Sequence, residues 1–134
     1  MNSSQVKWLK NVLWLVGAFA LCFGVGGWIW WRDSYQEYLH AGFHWGILPL
    51  IAGVAFSLSW IVDVGVVPSA LVLGSALPAI IVARVVLDCV RDPSNHNLWP
   101  FEVGAAFMFG VMTAFPAAAI GRFLRHITHR SRRM

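Results

Sequence analysis

PSALVLGSALPAIIVARVVL, residues 68–87, has one charged side chain, Arg84, in an otherwise uncharged run. An α-helix rises about 1.5 Å per residue and a bilayer's hydrocarbon core is about 30 Å thick, so this run is as long as one crossing. An arginine in such a run is costly unless it is paired or wetted, and so marks an organising or functional position.

Three further stretches qualify on the same grounds: 12–31, 43–62 and 101–120. The 134-residue chain is 58% hydrophobic and only 12% charged, where soluble domains carry about 25% charged residues. So short a chain cannot bury that much apolar surface in a water-facing core. The expected fold is all-α: a polytopic membrane protein, one domain over 1–134, built as a four-transmembrane-helix bundle with a basic tail at 121–134. Lys7 and Lys10 resemble the start of a signal peptide. The apolar run, however, continues past Ala18-Phe19-Ala20 to Trp31, too long for a signal core, so an uncleaved helix is expected. Cys22 and Cys89 fall at different depths and read as free small hydrophobes.

Charge sets the expected topology. Lys7 and Lys10 precede the first stretch; Arg122, Arg125, Arg130, Arg132 and Arg133 follow the fourth. Four crossings put both termini on one side, and the positive-inside rule makes that side cytoplasmic. Asp33, Glu37, Asp88, Asp92 and Glu102 then face outward. Asp63 alone belongs to the inner face, in a tight turn with Gly65 and Pro68. Trp28, Trp30, Trp31, Trp45 and Trp99 form an outer aromatic belt; Trp8 and Trp60 lie near the inner boundary. The basic tail reads as topogenic charge touching anionic lipid headgroups, not as a nucleic-acid site.

Small residues recur four apart at Ser75, Ala79 and Ala83 and at Ala106, Gly110, Ala114 and Ala118, which predicts that the third and fourth stretches pack through these rows, or that the rows serve a homo-oligomer. Pro49, Pro78 and Pro116 read as plain kinks.

Two outer segments carry candidate chemistry. Arg84, Asp88 and Arg91 share a helix face, and with Asp92 and Glu102 they form an ionic cluster. It reads as a clamp between the third helix and the outer loop, or alternatively as an anion or proton site. Glu37, His40 and His44 fall at i, i+3, i+7, and His96 could join them. That is ligand chemistry for zinc or iron, although Gly42 interrupts the stripe and no closed zinc motif is matched. No P-loop, nucleophile elbow, HExxH or dinucleotide fingerprint occurs.

The segment RDPSNHNLWPFE, 91–102, resembles one found in small, uncharacterised multi-pass membrane proteins of bacteria. The likeness covers about a dozen residues. It implies a bacterial inner membrane and carries no activity and no site residues. The expected function is a non-catalytic accessory or assembly protein without cofactor, whose partners are itself or a larger membrane protein. The alternatives are an oligomeric channel or small transporter using Arg84 and Asp88, and a metal-dependent membrane enzyme using the outer histidines.

Overall fold

The computed structural model describes residues 2–31, 46–91 and 99–131, and among them it is all helix joined by short turns. The helices are α1 (Ser3–Trp30), α2 (Ile47–Ser57, continued by a π-helical turn Leu58–Val62), α3 (Val66–Gly74), α4 (Ala76–Arg91) and α5 (Trp99–Ser131). Three rods are long and apolar enough to cross a membrane: Ser3–Trp30, Val66–Leu87 and Pro100–Ser131. The apolar rod Ile47–Val62 is shorter.

Three helices overrun their apolar stretches: α4 runs on to Arg91, past Leu87, and α1 and α5 go further. α1 begins at Ser3, where the Gln5 Oε1 accepts the Asn2 backbone N–H at 3.2 Å, so Lys7 and Lys10 stand on the helix, not before it. α5 runs on through the expected tail to Ser131. No proline follows Pro116, and His129 and Arg130 in its last turn suit the negative end of the helix dipole.

Contacts fix the directions of the rods. Lys7 near the start of α1 meets Asp63 just past α2, while Gly26 near the end of α1 lies against Ile47 at the start of α2. α1 and α2 are therefore antiparallel. Gly121 lies on Phe56, and Arg125 reaches Trp60 one turn further along both chains, so α2 and α5 are parallel. The α3–α4 rod returns to the far end, where Arg84 meets Trp30.

The interior is centred on the α3–α4 rod, with Leu73, Leu77 and Ile80 fully buried beside Ile51, Val64 and Cys22. The outside is apolar. Leu13, Trp28, Met112 and Phe123 all stand more than 60% exposed. Water would penalise such a surface at about 25 cal/mol per Å², and lipid would not.

The α5 row packs as the spacing predicts: Ala106, Ala114 and Ala118 are buried, and Gly110 lies against the Gly74 backbone. The opposite row differs. Ala70 and Gly74 are buried, whereas Ser75, Ala79 and Ala83 are only half-buried. The reason is local. Ser75 is a turn between α3 and α4, with its Oγ donating to the Val72 carbonyl at 2.7 Å. Pro78 has no N–H to give the Gly74 carbonyl four residues back. That carbonyl faces Gly110 so closely that no Cβ fits there. A Cβ on Gly74 would in turn lie 2.8 Å from the Val111 backbone nitrogen. The proline and two glycines together make this crossing a backbone-to-backbone one.

Candidate functional site

Among the described residues, the strongest convergence of charge lies where α2 ends. The last carbonyls of any helix lack intrahelical partners. Here the final turn widens to a π-turn, and the Val64 N–H reaches back to the Leu58 carbonyl at 3.3 Å. Asp63 closes it in the left-handed region, at φ 66° and ψ 33°. Glycine is the usual residue there, because a Cβ costs about 1–2 kcal/mol in that conformation, although Asp tolerates it better than most. Gly65 then starts α3, leaving room for the Pro68 ring 3.2 Å from where its Cβ would be. Pro68 sits in the first turn of α3, where no N–H is needed.

Three cations from two other helices surround the Asp63 carboxylate. Lys7 Nζ of α1 lies 3.6 Å from Oδ2; Arg122 Nη1 and Arg125 Nε of α5 lie 3.8 and 3.7 Å from Oδ1. Arg125 does more than pair. Its Nη1 donates to the Trp60 and Ile61 carbonyls, each at 3.1 Å, so it caps the C-terminus of α2 while facing the residue that ends it. His126 and His129 complete the wall of a small polar pocket of about 160 Å³ with Asp63, Arg122 and Arg125.

Magnitude decides what this cluster is for. The pairs exceed hydrogen-bonding distance, and exposed ion pairs contribute about 0.2–1 kcal/mol each, less in salt. Three cations against one carboxylate leave two positive charges in surplus. The lasting feature is therefore an electropositive end, held in register by the Arg125 cap. Nearby, the Ser59 and Ser69 hydroxyls are buried and meet no hydrogen-bond partner among the described residues.

At the opposite end Arg84, half-buried, donates from Nη1 to the Trp30 carbonyl at 3.2 Å. It caps the C-terminus of α1 and ties α4 to it. Asp88 and Arg91 belong to α4, but their side chains lie outside the description, as does Asp92 altogether. Glu102 stands in the first turn of α5, where its charge suits the dipole. Glu37, His40, His44 and His96 all lie outside the described residues. Among the described residues no group of three or more His, Cys, Asp or Glu side chains could hold a metal ion.

A second concavity is apolar. α1 and α2 touch at Gly26–Ile47 and at Lys7–Asp63 and separate between those points. The crevice, about 440 Å³, is lined on one wall by Trp14, Gly17, Ala18 and Leu21 and on the other by Gly53, Ser57, Leu58 and Ile61, among others. It exists because Gly17 and Gly53 have no side chains to fill it; neither would meet a neighbour within 4 Å if given a Cβ.

Sequence spacing missed the Asp63 cluster. The available signal was Asp63 itself, the one acid on the arginine-rich side. No protein-family model, curated protein or solved structure matches the chain.

Proposed function

We propose that this chain is a four-helix integral protein of a bacterial inner membrane, with both termini cytoplasmic, acting as a non-catalytic accessory or assembly subunit. Its partner is a second copy or a larger membrane protein docking on α1. One contrast carries this reading. The outward face of α5 presents bulky Met108, Met112 and Phe115. The outward face of α1 interleaves exposed Leu9, Leu13 and Val16 with exposed Ala20 and Gly24, and a Cβ on Gly24 would meet nothing within 4 Å. In lipid, helices associate by close backbone approach, which small residues permit and bulky ones prevent. The α5 row Ala106, Gly110, Ala114 and Ala118 is already used internally, whereas Ala20 and Gly24 are not. Meeting of the Lys7 and Arg125 ends at Asp63 supports termini on one side, and the arginines there support a cytoplasmic side. The Arg84–Trp30 bond favours a clamp over a pore-lining role for Arg84.

Native mass spectrometry of the gently solubilised protein tests the reading. The expected result is a homo-oligomer or a defined larger complex that Ala20→Leu dissociates while leaving helicity intact. A wild-type protein that is monomeric and partner-free, or an association indifferent to Ala20→Leu, would contradict it.

A further inference from the structure

On α1, Lys7, Lys10, Trp14, Gly17 and Leu21 recur at steps of three and four, so they form one stripe along the helix. Read along the helix, the stripe passes from charge to an indole to bare backbone to an aliphatic chain. That order follows the depth profile of a lipid leaflet: headgroup, interface, hydrocarbon. The lower part of the stripe lines the crevice against Gly53, Ser57 and Ile61 of α2. Its lining runs to Ile61 and Val62, and Val62 is next in chain to Asp63.

The mouth has positive charge to offer. Arg122 and Arg125 already face the Asp63 carboxylate from α5. Lys7 approaches its other oxygen at 3.6 Å with its side chain 69% exposed, and makes no further polar contact among the described residues. Lys10 is exposed and stands one turn from Trp14 on the crevice side. An apolar slot ending in two available ammonium groups fits one kind of occupant, an anionic amphiphile. A partner helix would fit the slot but not the lysines; a free anion would fit the lysines but not the slot.

We infer that the α1–α2 crevice is a binding site for one anionic phospholipid, with an acyl chain between Gly17 and Gly53 and the phosphate on Lys7 and Lys10. The inference rests on the membrane reading above and adds a specific ligand to it. The site is distinct from the Leu13–Ala20 face proposed for a protein partner, so a bound lipid and a docked helix are compatible.

The test is native mass spectrometry of the full chain in micelles with equal phosphatidylglycerol and phosphatidylcholine. Wild type is expected to retain one phosphatidylglycerol in strong preference. Lys7→Gln with Lys10→Gln should lower that preference roughly 30-fold, the effect of two cations near an anionic headgroup. Gly53→Leu, for which the structure has open space, should reduce retention of both lipids while leaving the lysines in place. Equal retention of the two lipids by wild type overturns the inference, as does indifference to either variant. Displacement of the lipid by millimolar inorganic phosphate would also overturn it, since the tail would then contribute nothing. The same spectra separate the two proposals. Oligomer without lipid preference removes only the lipid site; monomer with lipid preference removes only the association.

Discussion

The two ends of the molecule solve the same problem with the same residue and different consequences. At each, a helix stops with unsatisfied carbonyls, and an arginine from a helix distant in sequence supplies the donors. Arg84 caps α1 at Trp30. Arg125 caps α2 at both Trp60 and Ile61 and also faces Asp63, where Lys7 and Arg122 arrive from their own helices. The Arg84–Trp30 bond joins α4 to α1. The Asp63 end ties three helices, and it leaves positive charge to spare. Capping is thus a structural device at both ends, and among the described residues the Asp63 end gathers the larger share of charge.

The contrast presumes that the ends are held apart by a rigid middle, and the largest expected effect comes from breaking that. Gly110→Val places a side chain where the Gly74 carbonyl lies. It should destabilise the protein by about 3 kcal/mol in a reversible detergent unfolding titration, since backbone on both sides cannot yield. Next is Arg125→Met, which uncaps two carbonyls and should cost about 2 kcal/mol by the same titration. Arg84→Met should cost about 1 kcal/mol for the Trp30 carbonyl. If the Arg84 variant proves the more damaging, the ranking of the two ends is reversed. The smallest effect is expected from Asp63→Gly. Relief of the left-handed backbone, about 1 kcal/mol, offsets the loss of exposed ion pairs of similar total size. Stability near wild type, with less dependence on salt, would show that Asp63 shapes the charge field more than it stabilises the fold.

What the sequence made legible follows from how its signals arise. Apolar run length reports the solvent a helix needs, so the helical rods could be read directly, with errors at the ends of α1, α4 and α5 where polar residues continue a helix. The Ala106–Ala118 row was legible because one helix's spacing fixes one helix's face. Its partner row was misplaced by one residue because Pro78 and the Ser75 turn shift the face of the α3–α4 rod, and the Gly74 carbonyl gains its role only through Gly110 of another helix. Arg84 stands out because it interrupts an apolar run, and the Trp30 carbonyl it donates to is 54 positions away, beyond the reach of spacing along one helix. Asp63 is legible as the odd acid on a basic side and as part of a tight turn with Gly65 and Pro68. Nothing local announces that Lys7, Arg122 and Arg125 converge on it, since that depends on three helices sharing a level.

In the proposed arrangement the Lys7–Asp63–Arg125 end and the opposite Trp30–Arg84 end face different sides of a membrane, with both chain termini at the former. Single cysteines at Ser4, Ser131 and Gly46, in a background with Cys22 and Cys89 replaced by alanine, test it through a membrane-impermeant thiol reagent. All three positions are exposed. Ser4→Cys and Ser131→Cys are expected to react only in inside-out vesicles and Gly46→Cys only in intact spheroplasts. Labelling of the two terminal positions from opposite sides, or of Gly46→Cys from the same side as either, would contradict it.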